Sequence, residues 1–105
     1  MEVSIDLALE CMSEFASVMQ ENNLDPIHDA FTESVVFDTA GFASWLVSNN
    51  YLATTDKLRI SFGIYTANAA NELDVPQYEG RMTAFIWPVK DTTEYAPYNT
   101  GELVP

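Results

Sequence analysis

Basic residues are scarce in this chain of 105 residues: four Lys and Arg stand against sixteen Asp and Glu, a formal net charge of −12. Phosphate contacts need Lys and Arg, so the balance argues against nucleic-acid binding. It argues equally against docking on anionic membranes. Cysteine is nearly absent. Cys11 alone cannot close an internal disulfide, so the fold does not depend on an oxidising compartment. With His28 the single histidine, the pairings that activate a nucleophile are almost closed off, and no catalytic residue is assigned. The one grouping with metal-ligand chemistry is Asp25, His28, Asp29 and Glu33. Its spacing matches no established ligand set, and Asp25-Pro26 reads better as a helix cap. Four glycines form no phosphate loop or dinucleotide-binding pattern. Neither a metal nor a cofactor is expected.

Long apolar runs are missing as well. The longest uncharged stretch, residues 39–55, is interrupted by Ser48, Asn49, Asn50, Thr54 and Thr55, and does not read as a membrane span. The N-terminus has no basic segment followed by an apolar one, so no secretory signal is visible and a cytoplasmic protein is expected.

What is present suffices for one core: 48% hydrophobic residues, 12% of the chain aromatic. A domain this long buries roughly 65% of the surface its unfolded chain exposes. Residues 4–21 carry Ile5, Leu9, Met12, Ala16 and Met19 at helical spacing, with Ser4 as N-cap. Glu2, Asp6, Glu10 and Glu14 step by four along the other side of this segment. Solvation explains such a stripe; docking of a basic protein partner is the sharper reading. A helical turn is expected at residues 25–30, a short strand at 32–37, and a second helix at 38–49 with Phe42, Trp45 and Leu46 on one face. Residues 51–56 read as a polar connection.

The centre of the chain is a pair of strands, residues 57–65 and 81–87, the second ended by Pro88. Alternation sorts them. Leu58, Ile60, Phe62, Ile64, Met82, Ala84 and Ile86 share one face, expected to pack on the helices. Arg59, Ser61, Gly63, Tyr65, Arg81, Thr83, Phe85 and Trp87 share the other. Two strands need a covering layer, so the expected architecture is α+β: two or three helices packed on one face of a small, mainly antiparallel sheet. Residues 1–105 read as a single domain, with residues 91–105 as an irregular C-terminal tail.

Leu58-Arg59-Ile60-Ser61-Phe62-Gly63, followed by Gly80-Arg81-Met82-Thr83-Ala84-Phe85-Ile86-Trp87-Pro88 and Tyr98-Asn99-Thr100-Gly101, resembles small bacterial domains of unknown function that carry an Arg-Ile-x-Phe-Gly strand. The resemblance covers roughly residues 32–101 and implies an α+β fold, with no activity attached to it.

Three functional readings follow. The first is a small acidic, non-enzymatic protein-interaction module acting through the acidic helix or the sheet. The second is a small-ligand-binding domain using Arg59, Tyr65, Arg81, Phe85 and Trp87, residue types that often carry binding energy. Competing with it is a plain structural account, in which the tail with Tyr95 and Tyr98 covers that face. The third is an acidic mimic of nucleic acid that inhibits a basic protein. A homodimer through the sheet face is a further option.

Overall fold

The computed structural model describes residues 1–20, 32–99 and 101–104. The elements in chain order are α1 (Ile5–Gln20), β1 (Ser34–Val36), α2 (Thr39–Ser48), α3 (Tyr51–Thr54), β2 (Lys57–Ile64), α4 (Ala67–Glu72), a 3-10 turn (Pro76–Tyr78), β3 (Met82–Lys90), β4 (Thr93–Glu94) and β5 (Glu102–Val104). This is an α+β fold with two antiparallel sheets, β2-β3-β4 and β1-β5. The turn expected at 25–30 lies outside the described residues. Among those described, no helix is long and apolar enough to cross a membrane.

Caps and turns locate the helices. The Leu7 amide donates to Ser4 Oγ at 3.2 Å, opening α1. The Gly41 amide donates to Asp38 Oδ2 at 2.7 Å, opening α2. In α4, Thr66 caps by accepting from the Ala69 amide at 3.0 Å, while its own hydroxyl donates to Glu10 of α1. That hydroxyl ties α4 to α1.

β2 and β3 pair from Lys57↔Val89 to Ile64↔Met82. β3 runs to Lys90 and does not stop at Pro88. Pro88 stands opposite Leu58, and its carbonyl accepts from the Tyr95 amide at 3.0 Å on the side away from β2. Its missing N–H faces that side too, so the β2–β3 ladder loses no bond. The chain then reverses through Asp91-Thr92, with Asp91 at φ 54°, a left-handed conformation that Asp tolerates, and β4 pairs back at Val89↔Glu94. Residues 51–54, expected as a plain connection, form the short helix α3.

The described part of the tail, residues 91–99 and 101–104, is not irregular. Ile86 and Tyr98 exchange backbone hydrogen bonds of 3.0 and 2.8 Å. Val3 donates to Pro97 O at 2.8 Å, and Asn99 to Met1 O at 2.9 Å. Residues 97–99 therefore lie between β3 and the N-terminal residues, and β5 goes on to pair with β1. Periodicity could not reveal this, because each pairing is only a few residues long.

The larger correction concerns which face is core. α1 and α4 pack on the face of Ser61, Gly63, Tyr65, Thr83, Phe85 and Trp87, all of which are buried. Tyr65, Phe85 and Trp87 join Val3, Ala8, Cys11, Ala69, Ala70, Leu73 and Leu103 in one cluster. Of the seven residues expected inside, only Ile64 is buried. Met82, Ala84 and Ile86 are half-buried, and Leu58, Ile60 and Phe62 are exposed. The helix is turned accordingly: α1 buries Ala8 and Cys11, leaving Ile5 and Leu9 exposed.

Two physical facts select this face. Gly63 removes the barrier to close approach. A Cβ there would stand 2.9 Å from Cys11 Cβ and 2.8 Å from the Phe85 ring, so α1 reaches the strand only because no side chain intervenes. The polar atoms of the buried face are also matched. Trp87 Nε1 donates to Ser61 Oγ at 2.8 Å, the Tyr65 hydroxyl to Asn99 Oδ1 at 2.6 Å, and Asn99 Nδ2 to Thr83 Oγ1 at 3.1 Å. Among the described residues no buried side-chain polar atom lacks a partner, so the hydroxyls add no desolvation penalty. The aromatic rings, about 150–250 Å² each, then supply more buried area than Leu or Ile would.

Gly63→Ala is expected to lower stability by about 1–3 kcal/mol through overpacking against Cys11 and Phe85, read from the urea midpoint; an unchanged midpoint would mean that α1 does not sit this close. Burial pushes the Tyr65 phenol and the Cys11 thiol above their ordinary values. Both groups thus favour the fold fully at pH values below their unfolded-state pKa. That contribution is lost as pH rises through the thiol range and then the phenol range. The urea midpoint should fall from neutral pH to about pH 10.5, and less steeply in Tyr65→Phe. Equal slopes in the two proteins would remove Tyr65 from this account.

Candidate functional site: an open apolar sheet face

The face left free is the one with the most aliphatic side chains. Along β2, Leu58 is 50%, Ile60 60% and Phe62 57% exposed. Beside this ridge, Met82, Ala84 and Ile86 of β3 form a floor. Val35 and Phe37, in and just after β1, wall its far side together with Thr32, Glu33 and Ser34. The groove so formed has a volume of about 340 Å³. Large exposed apolar surface that is contiguous marks interaction sites in monomeric proteins.

Neighbouring elements explain why the cover is incomplete. α2 reaches the sheet through Tyr98, whose ring centroid lies 5.1 Å from that of Phe42 and 5.0 Å from that of Trp45. Tyr98 bridges Ile86 and so shares its face. β1 is held next to the tail at Gly101, where a Cβ would collide with the Val35 side chain. These contacts cover the face beyond β3 and stop short of β2. At the opposite end of the ridge, Phe15 of α1 packs on Phe62 with ring centroids 6.1 Å apart.

Charge is partitioned around this surface. Residues 57–65 and 81–90 contain all four basic residues and no Asp or Glu. Arg59 pairs with Glu94 at 2.5 Å, and Lys90 with Asp56 at 3.7 Å. Both pairs are about half exposed and contribute little to stability. Because Arg59 and Arg81 alternate onto the other face, β2 and β3 give the ridge an apolar surface without acids, with Glu33 at the far wall of the groove.

The residues expected to bind a ligand are placed differently. Tyr65, Phe85 and Trp87 belong to the core, and the Arg59 guanidinium lies 4.9 Å over the Trp87 ring, closing its edge. Arg81 is half-buried and reaches Thr32 Oγ1 at 3.5 Å. The five do not form an open site. The acidic stripe is also divided. Glu2 precedes α1, sits in the pairing with Tyr98 and accepts from Trp45 Nε1 at 3.4 Å. Glu10 accepts from Thr66 and from Asn68 Nδ2. Asp6 and Glu14 are left as exposed acids on α1. Asp25, His28 and Asp29 lie outside the described residues, and among those described no group of three or more potential ligands could hold a metal ion.

Leu58, Ile60 and Phe62 were legible as one face of a strand, but hydropathy alone assigned them to the interior. The available signal was Gly63, whose missing side chain identifies the face that something approaches closely.

If this face is open, Leu58→Lys and Ile60→Lys should each change unfolding free energy by only about 0.5 kcal/mol, whereas Phe85→Ala should cost about 3–5 kcal/mol. Urea titration of the three variants decides it; a loss above about 2 kcal/mol in either Lys variant would return that face to the core. No family model, curated protein or solved structure matches this chain.

Proposed function

We propose that the protein is a small, acidic, non-enzymatic protein-interaction module whose working surface is the open face of β2 and β3. The observation that carries the reading is the row Leu58, Ile60 and Phe62, three large apolar side chains each at least half exposed on one strand. Water contact at such a row is unfavourable by about 25 cal/mol per Å², and a partner that covers it recovers that free energy. A non-enzymatic role is supported by the state of the one cysteine. Cys11 is buried, with its thiol pushed up by desolvation, the reverse of what a nucleophile needs. The same unpaired thiol suits a cytoplasmic setting.

A photo-crosslinking amino acid at Leu58 tests this reading in cells. Irradiation should give covalent adducts of discrete mass, while the same probe at Val47, an exposed apolar position on α2, should give none. Absence of adducts at Leu58, or an equal yield at the two positions, would contradict the assignment.

A further inference from the structure

We infer that the partner covering this face is a second copy of the same chain, packed about a two-fold axis. The inference deepens the reading above and rests on it. Its first support is shape. The exposed ridge of Leu58, Ile60 and Phe62 lies beside a groove floored by Met82, Ala84 and Ile86 and walled by Val35. A ridge and a groove side by side on one surface are self-complementary: a two-fold rotation sets each ridge into the other copy's groove, and the contact closes on itself. Two sheets packing face to face, about 10 Å apart, is an ordinary way to bury such faces.

The second support is charge. Each copy carries a formal charge of −12, so two copies repel at most approaches. The open face is where that repulsion is least, because β2 and β3 place no acid on it; the basic Arg59 and Arg81 lie on the opposite face, and Glu33 at the far wall is the acid nearest the groove. A strongly basic partner would be drawn instead to the surfaces rich in Asp and Glu. The sign of the salt effect separates the two occupants. Salt screens the repulsion between like-charged copies and so strengthens the dimer, whereas it weakens the binding of a basic protein.

The interface is small. Apolar patches on monomers reach about 300–600 Å², below the ~800 Å² per partner of a standard complex. Association in the micromolar range is the corresponding expectation.

Sedimentation equilibrium of the purified chain over about 5–500 µM, a range chosen to bracket micromolar affinity, at low and high salt, tests the inference. A monomer–dimer equilibrium should appear and tighten several-fold at high salt. It should be lost in Ile60→Lys and retained in Val47→Lys, with circular dichroism confirming that both variants fold. A monomer at every concentration and salt would overturn the inference, as would a dimer that Ile60→Lys leaves intact. If the chain stays monomeric while the Leu58 crosslink traps a different protein, the dimer is wrong and the interaction face stands. Absence of any Leu58 adduct removes both.

Discussion

The approach of α1 to Gly63 is the contact on which the rest of the arrangement depends. A helix rides close over a strand only where the side chain beneath it is missing, and β2 offers one such position. Once Cys11 is seated there, the neighbours on the same face follow it inward: Ser61 on β2 and Tyr65 just after it, Thr83, Phe85 and Trp87 on β3. The opposite face is turned away from α1 by the same choice, because successive residues of a paired strand point to opposite faces. An exposed row of Leu58, Ile60 and Phe62 is therefore the direct consequence of what Gly63 permits.

A face with three hydroxyls and an indole N–H could not serve as an interior without partners for them. Asn99 makes it possible. Its side chain accepts from Tyr65 and donates to Thr83 and to the Ala84 carbonyl, and its amide donates to Met1. One residue of the C-terminal segment thus ties β2, β3 and the N-terminus together. Networks of this kind are favourable when complete and costly when broken, which places the specificity of the fold in the tail.

Much of the architecture was legible in the sequence: α1, α2, β1 and the β2–β3 pair follow from periodicity, caps and β-branched runs, and they give the α+β class. Two things were not. The pairings of residues 1–3, 97–99 and 102–104 are too short to leave a periodic signal. The choice of face went against hydropathy, because hydropathy scores Tyr, Thr and Ser as surface residues and cannot see that Asn99 satisfies Tyr65 and Thr83 while Trp87 satisfies Ser61. The Arg/aromatic cluster was correctly recognised as a set sharing one face; burying that face makes Tyr65, Phe85 and Trp87 structural and leaves Arg59 as a lid over Trp87.

The central claim is that β2 and β3 show solvent their aliphatic face and hide their aromatic one. Solvent paramagnetic relaxation in dilute, monomeric protein measures this most directly. A soluble paramagnetic probe should broaden the methyl resonances of Leu58 and Ile60 strongly and leave the Trp87 indole N–H unaffected. Strong broadening at Trp87 with protected Leu58 and Ile60 methyls would contradict the account.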